Sequence, residues 1–333
     1  MEQENNLYEF DNEDFEVSGD KKKKSGRRKS ISHFVILGIA LIIIVFAAYR
    51  VAKWNRGVAS DYDPTEDTSE FDVEPADYIQ PMSADQLKDK PEDGITTILT
   101  LGNSPFADDY NNNNLAKALG EAYGADVING GFANGYITQS NAEYSIDKPE
   151  DGVSLYQVSL ALTTGDFSVV NEAAAQFGED AISAAKTLEA TDMSKVDIIF
   201  IMYNLEDYQA HRPLGSEDRE DITCIYGAIY NSLAKIQEAY PYIRLVMLSQ
   251  PAGGVTIDNF FVDGDIHNIG EGTLTEYIAF ETSAAAARGV SFVDIYYGAI
   301  NVDLRSKYLV DDYHINDAGA KAIADRVKKL IIL

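Results

Sequence analysis

An almost uninterrupted apolar run, VDIIFIMY at residues 196–203, sets the fold class of this chain. A strand that is apolar at nearly every position must be covered on both faces, whereas a strand with one wet face alternates apolar and polar residues. Covering both faces requires helices on each side of a mainly parallel sheet. The run therefore predicts an α/β protein, a three-layer α/β/α sandwich.

The remainder of residues 95–333 supports this prediction because strand and helix patterns alternate along it. Besides the run above, strands are predicted at 95–101, 126–129, 243–249 and 290–296. Helices are predicted at 114–123, 154–190 (with breaks near Gly165 and Gly178), 217–240, 274–288 and 318–332. Short connections between these elements favour a parallel sheet between helical layers. Functional residues are expected beyond the carboxyl ends of the strands, where such sheets bind their ligands.

An uncharged apolar segment, FVILGIALIIIVFAAY at residues 34–49, precedes this domain. At about 1.5 Å per residue the segment spans about 24 Å, and the flanking residues extend it toward the hydrocarbon core of about 30 Å. Seven basic residues precede the segment and three follow it closely, which places the N-terminus in the cytoplasm. Residues 33–54 are therefore predicted to be a transmembrane signal-anchor helix after a polar cytoplasmic tail, residues 1–32. A cleaved signal peptide is the alternative, and the long leader and long apolar run disfavour it.

The composition of the chain predicts a disordered segment and excludes several classes of function. Residues 55–94 are acidic, contain four prolines and few large aliphatic residues, and are predicted to be a disordered stalk outside the membrane. The whole chain has 54 acidic and 27 basic residues, a formal net charge of −27. This excess repels phosphate backbones, so nucleic-acid binding is excluded as the main function. The single cysteine, Cys224, excludes an intramolecular disulfide and a cysteine-rich zinc site.

Two short motifs carry residues suited to nucleophilic catalysis. A serine follows the first predicted strand in Gly102-Asn103-Ser104, and Asp311 and His314 lie three residues apart before the last predicted helix. A serine hydroxyl is a poor nucleophile until a base takes its proton. An imidazole does this well when a carboxylate fixes its tautomer, and the Asp311–His314 spacing allows that pairing within one turn.

These motifs resemble the SGNH hydrolases, also called GDSL-type esterases and lipases, over about residues 95–333. The family's Gly-Asp-Ser block is matched by Gly102-Asn103-Ser104, its Asn-x-Gly block by Asn129-Gly130-Gly131, and its Asp-x-x-His block by residues 311–314. The resemblance implies a flavodoxin-like three-layer fold. It also implies catalytic roles for Ser104, His314 and Asp311, with the main-chain amides of Ser104 and Gly131 as oxyanion donors. No metal or organic cofactor is implied.

The third block departs from the family's Gly-x-Asn-Asp. Here the sequence is Asn204-Leu205-Glu206-Asp207, so Glu206 occupies the position of the family's oxyanion asparagine. An ionised carboxylate beside a developing oxyanion raises the barrier, and loss of one donor costs about 10²–10³ in rate. Three outcomes follow: Asn204 takes over through a local shift, Glu206 is protonated or turned away, or the domain has lost efficient catalysis.

The expected function is that of a membrane-anchored extracytoplasmic serine esterase that removes small acyl groups, such as acetyl, from carbohydrate or related esters. Its expected partners are a small ester or acylated carbohydrate and, through residues 33–54, the lipid bilayer. One alternative is a weak or inactive SGNH-like module that binds a surface glycan or a protein. Another is a sugar O-acyltransferase, which the sequence does not separate from a hydrolase.

Overall fold

The computed structural model describes residues 44–45, 74–88, 90, 93–109, 114–268 and 270–332. The chain divides into two compact units, Met1–Phe71 and Asp72–Leu333, and the second contains the predicted catalytic domain. Apart from Ile44 and Val45, the predicted tail and transmembrane helix lie outside the described residues, as do residues 55–73 of the predicted stalk. None of the helices in the described ranges combines the length and the apolar character that a membrane span requires.

Five parallel strands form the central sheet: β1 Thr97–Gly102, β2 Asp126–Gly131, β3 Ile198–Met202, β4 Arg244–Leu248 and β7 Ser291–Val293. Their order across the sheet is β2-β1-β3-β4-β7. An antiparallel hairpin, β5 Gly254–Ile257 and β6 Phe260–Asp263, lies outside this sheet. The parallel sheet predicted from the apolar strand pattern is therefore confirmed.

Helices occupy most of the connections between the strands. The structure has α1 Ala84–Lys88, α2 Ser104–Ala107, α3 Asn114–Tyr123, α4 Pro149–Gly152, α5 Leu155–Thr164, α6 Ser168–Phe177, α7 Glu179–Glu189, α8 Glu206–Gln209, α9 Ile225–Ala239, α10 Leu274–Ala287, α11 Ile295–Gly298, α12 Arg305–Tyr308 and α13 Asp317–Leu330. A short 3₁₀ turn, Met193–Lys195, leads into β3. The predicted breaks near Gly165 and Gly178 separate α5, α6 and α7, and both glycines have positive φ angles.

Successive residues of the strands face two separate apolar layers. On one side, Leu99 and Ile199 belong to a core with α5, α6, α7, α9 and α10. On the other side, Ile198 and Phe200 belong to a core with α3 and α13. All five residues of β3 are buried, as expected for a strand covered on both faces. The three-layer arrangement is thus confirmed.

Two predicted elements are shorter than expected because polar side chains bond to the main chain near their ends. The predicted helix 217–240 begins only at Ile225, since Asp218 and Asp221 accept hydrogen bonds from main-chain amides two residues later and form turns. The predicted strand 290–296 ends at Val293. Asp294 then caps helix α11 by accepting a hydrogen bond from the Tyr297 amide.

The predicted stalk extends too far along the chain. Tyr78 pairs with Phe292 in an antiparallel bridge, with N···O distances of 2.9 and 2.7 Å, and Asp77 forms an ion pair of 2.7 Å with Arg326. Strand β7 lies at the edge of the sheet and offers unpaired main-chain groups to such a segment. The prediction of disorder is therefore wrong for residues 76–80, which pack on the domain.

Candidate active site

Ser104 lies immediately beyond the carboxyl end of β1, where it begins helix α2. The preceding Gly102 allows a close approach to β3, because a Cβ atom at this position would lie 1.9 Å from the Met202 carbonyl oxygen. The Ser104 side chain is 2% exposed. Its main-chain N–H has no hydrogen-bond partner within the described part of the chain, so it is free to donate to a ligand.

Asn103 holds three segments together behind this serine. Its side-chain Nδ2 donates to the Gly135 carbonyl over 3.1 Å, and its Oδ1 accepts from the Asn204 amide over 2.7 Å. Asn103 is completely buried. Both the Nδ2 donor and the Oδ1 acceptor of its amide are therefore used. Only a side chain that offers a donor and an acceptor can make both hydrogen bonds.

Asn204 connects the serine to the C-terminal part of the site. It follows β3, and its side-chain Nδ2 lies 3.3 Å from Ser104 Oγ and 2.8 Å from the carbonyl oxygen of Tyr313. Tyr313 precedes His314 in the chain. One amide thus bridges the two motifs that lie about two hundred residues apart in the sequence.

The Asp311–His314 turn holds the imidazole in one orientation. Asp311 Oδ2 lies 2.8 Å from His314 Nδ1, and Oδ1 accepts hydrogen bonds from the main-chain amides of Tyr313 and His314. Although desolvation by partial burial raises the pKa of Asp311, these hydrogen bonds from His314 and Tyr313 outweigh it and leave the pKa below the ordinary value. The charged carboxylate is therefore stabilised beside the ring, the arrangement that fixes a histidine tautomer.

The other imidazole nitrogen faces a second carboxylate. His314 Nε2 lies 3.8 Å from Asp108 Oδ2, and within the described ranges no hydrogen bond joins His314 to Ser104. Burial raises the pKa of Asp108, the nearby imidazole opposes that shift, and Asp311 adds to it. From the sequence, Asp108 is expected to cap the following helix rather than to hold a cation, and it is not assigned to the catalytic site.

Glu206 also faces the nucleophile. It begins α8 after β3, and its carboxyl group is within hydrogen-bonding reach of the Ser104 side chain. Burial raises the pKa of Glu206 to about 7, and the neighbouring Asp207 adds to this shift. Hydrogen bonds from its own amide and from Ser104, together with the charge of His314, oppose it. Asn204 and Glu206, both candidates for the third oxyanion position, thus adjoin the same serine.

Gly131, the other predicted oxyanion donor, is paired within the protein. Its amide donates to Asn129 Oδ1 over 3.1 Å, at the end of β2. A Cβ atom here would lie 2.7 Å from Phe106 Cβ, so the glycine allows α2 to pack against β2. The observed contacts of Gly131 are therefore those of a packing residue, and its predicted role as a donor stays a prediction.

A loop at residues 135–138 also lies beside the site, and the sequence analysis did not identify it. Asp207 is buried and accepts hydrogen bonds from the amides of Ile137 and Thr138 over 2.7 and 3.1 Å. Tyr136 in this loop is close enough to Glu206 and Tyr313 to influence them electrostatically. No local sequence pattern marks Tyr136, since its position depends on a contact with a residue about seventy positions away.

The described residues contain no group of three or more His, Cys, Asp or Glu side chains arranged to hold a metal ion. The polar groups beside Ser104 are instead the Asn204 amide and the Glu206 carboxyl group, and the Asp311–His314 pair lies on the turn that Asn204 also contacts. This set suits an acyl-transfer reaction, in which a hydroxyl attacks a carbonyl and polar hydrogens stabilise the resulting oxyanion.

No family model matches the sequence, and no curated protein matches it. A structure from Lactobacillus plantarum is similar, with 18% identity and a TM-score of 0.49 over 72% of this chain and 97% of its own. Est24, a carbohydrate acetylesterase from Sinorhizobium meliloti, has 14% identity and a TM-score of 0.43 over 71% of this chain and 100% of its own. An inhibitor-bound aryl esterase from M. smegmatis has 17% identity and a TM-score of 0.42 over 71% and 100%.

Proposed function

We propose that this chain is a carboxylic ester hydrolase in which Ser104 is the nucleophile, His314 the general base and Asp311 the residue that orients the imidazole. The observation that carries the proposal is the position of Asn204, whose side chain contacts both Ser104 Oγ and the main chain beside His314. This contact supports a site at one edge of the sheet that combines a hydroxyl, an imidazole–carboxylate pair and hydrogen-bond donors. These are the components that acyl transfer requires.

The reaction proceeds in two acyl transfers. Ser104 Oγ attacks the ester carbonyl carbon, its proton passes to His314 Nε2, and the carbonyl electron pair moves onto oxygen. The Ser104 amide and the Asn204 side chain stabilise that oxyanion. When the intermediate collapses, the bond to the alcohol oxygen breaks and His314 returns the proton to the leaving group. Water then attacks the acyl-serine by the same route and releases the acid.

The proposed substrate is a small acyl ester, such as an acetyl group on carbohydrate. Two features support this choice. Ser104 is almost fully buried, which restricts the acyl group that can reach its hydroxyl. The large negative charge of the chain disfavours polyanionic substrates and is compatible with neutral sugar esters.

The proposal includes a position outside the membrane, held there by a transmembrane helix at residues 33–54. Its support is the uncharged apolar run and the excess of basic residues on its N-terminal side. Protease added to intact cells that carry the full chain should then remove the domain and leave a membrane-bound N-terminal fragment. A chain recovered without its first 50 or so residues would instead indicate a cleaved signal peptide.

Hydrolysis of 4-nitrophenyl acetate by the full chain in a mild detergent tests the activity. We expect Ser104→Ala to lower kcat/KM by at least about 10³, because the nucleophile is lost. Ser283→Ala is the matched control, since Ser283 is an exposed serine on α10 whose hydroxyl bonds only within its helix. Equal rates for wild type and Ser104→Ala would refute the assignment of the nucleophile.

One observation favours a second candidate function, a binding module without turnover. His314 Nε2 faces Asp108 at 3.8 Å and makes no hydrogen bond to Ser104 within the described ranges. A fluorophosphonate probe separates the two functions, because it labels only a serine that is activated for attack. Labelling of wild type but not of Ser104→Ala supports the hydrolase, whereas glycan binding without labelling or turnover supports the binding module.

A further inference from the structure

Glu206 occupies a position where an ordinary carboxylate is unfavourable. Its carboxyl group reaches the Ser104 side chain, and its Oε2 atom is buried without a hydrogen-bond partner among the described residues. An ionised carboxylate would leave a charged oxygen unsolvated at this point. Burial of such an unpaired charge is among the most costly arrangements in a protein, and the usual remedy is to neutralise the group.

The groups around Glu206 give it little positive charge. Asp207 follows it in α8, His314 approaches from the C-terminal turn, and the rings of Tyr136 and Tyr313 lie on neighbouring loops. Arg212 places its guanidinium 5.0 Å from the centre of the Tyr136 ring and donates to Ser140. His314 is itself paired with Asp311 over 2.8 Å. The surroundings therefore favour a neutral Glu206 over a charged one.

We propose that Glu206 functions as a neutral carboxylic acid that donates a hydrogen bond to the oxyanion formed when Ser104 attacks its ester substrate. This inference rests on the proposed hydrolase function and assigns the donor role to a neutral acid, where the SGNH pattern has an asparagine amide. The Asn204 amide and the Glu206 carboxyl group are then two donors beside the same serine. The proton stays on Glu206 throughout, so no further acid or base is needed.

The proposal makes the activity depend on pH in a specific direction. The protonated form of Glu206 donates, and the ionised form repels the developing negative charge. Because burial raises the pKa of Glu206 to about 7, the donor is present below that pH and is lost as the pH rises through it. Activity should therefore fall on the alkaline side, where a simple serine–histidine pair remains active.

The decisive experiment is the pH dependence of kcat/KM for wild type and Glu206→Gln. Hydrolysis of 4-nitrophenyl acetate by the full chain in mild detergent is measured between about pH 5.5 and about pH 9, at the wavelength where the absorbance of the product does not depend on pH. We expect the wild-type value to fall about tenfold per pH unit well above pH 7, whereas Glu206→Gln, whose amide donates at every pH, should show no alkaline fall. Below about pH 6 the two should agree within about tenfold.

Controls separate this role from a structural one. Glu217→Gln makes the same chemical change at an exposed turn, and it should retain the wild-type profile. Should Glu206→Gln fail to fold, Glu206→Ser serves in its place, because a neutral hydroxyl also cannot ionise in this range. It should lose about 10²–10³ of the activity at low pH, since its shorter side chain does not reach the oxyanion, and it should likewise show no alkaline fall.

The possible failures are distinguishable. If wild-type turnover does not depend on Ser104, the proposed function fails and this inference fails with it. If turnover depends on Ser104 but the neutral variant keeps the wild-type alkaline fall, only the role of Glu206 is overturned. Loss of activity in a folded Glu206→Gln variant at every pH also overturns it, because a neutral amide donor would then not replace the acid.

Discussion

Replacement of Asn103 by aspartate would restore the Gly-Asp-Ser motif of the SGNH family and, by our reasoning, destabilise this protein. Asn103 is completely buried, donates to the Gly135 carbonyl over 3.1 Å and accepts from the Asn204 amide over 2.7 Å. A carboxylate preserves the second hydrogen bond and cannot make the first. It places a negative charge against a carbonyl oxygen that is itself buried.

The size of the effect follows from these two contacts. Loss of the hydrogen bond costs about 1 kcal/mol, and a buried carbonyl left unpaired costs about 1–3 kcal/mol more, so the variant should lose about 2–4 kcal/mol of unfolding free energy at about pH 8. A penalty of about 3 kcal/mol corresponds to about two pKa units. The introduced carboxyl group should therefore have a pKa of about 6 when folded and about 4 when unfolded. Its protonated form donates to Gly135, so the penalty is absent below about pH 4 and develops as the pH rises to about 6.

Urea unfolding of the full chain in a mild detergent, at about pH 4.5 and about pH 8, measures this difference. Asn134→Asp is the matched control, because Asn134 lies on the same loop as Gly135 and is exposed. The control should change stability by less than about 0.5 kcal/mol at either pH. If Asn103→Asp were as stable as the control at both values, the two hydrogen bonds of Asn103 would not have the importance assigned to them.

Two further substitutions test other contacts of the domain. Gly131→Ala should lower the free energy of unfolding in urea by about 1–3 kcal/mol, because the new Cβ atom would lie 2.7 Å from Phe106 Cβ and 2.9 Å from the Ala107 nitrogen. An unchanged urea midpoint would show that α2 can shift away from the new methyl group without cost. Glu281 is buried and accepts a hydrogen bond of 2.5 Å from Gln250, and burial raises its pKa well above the ordinary value. The folded state therefore holds its proton more tightly than the unfolded state, and wild-type stability falls as the pH rises above about 4.5. Glu281→Gln should remove this dependence, so that the variant gains stability relative to wild type between about pH 5 and pH 8; parallel pH profiles would contradict the buried neutral acid.

The fold was predictable because its determinants are local in the sequence. The apolar run at residues 196–203 indicates a strand covered on both faces, and the two cores place Ile198 and Ile199 on opposite sides of the sheet. Helix α3 lies where the apolar periodicity places it, at Asn114–Tyr123. Element ends were less predictable where a side chain competes with the main chain, as Asp221 does before α9.

The residue at which the predicted stalk ends and the ordered domain begins could not be predicted from composition. Residues 74–80 have little apolar content, and their order depends on main-chain pairing with the edge strand β7 and on the Asp77–Arg326 ion pair. Neither contact leaves a periodic pattern in the segment itself. Composition therefore indicated correctly that the segment lacks a core of its own, while its order comes from a surface about two hundred residues further along the chain.

The residues of the candidate site likewise divide into those that short sequence patterns identify and those whose contacts only the structure reveals. The motif residues Ser104, Asp311 and His314 were identifiable because each lies in a short pattern beside a strand or helix end. The contacts of Asp108 with His314 and of Asp207 with the Tyr136 loop join distant segments, and no spacing rule reveals them. The pairing of the Gly131 amide with Asn129 is likewise visible only in the structure.

The two departures from the SGNH pattern have a common electrostatic basis. The family's first block has an acid where this chain has Asn103, and its third block has an amide where this chain has Glu206. Asn103 bonds to the Asn204 amide, and both Asn204 and Glu206 contact Ser104, so the two altered positions belong to one small cluster. A chain with acids at both positions would bring two carboxyl groups into that cluster beside the buried Asp207, and like charges so close cannot all ionise. An amide at position 103 therefore adds no ionisable group to this cluster, and the balance between the neutral and charged forms of Glu206 depends on Asp207, His314 and burial instead.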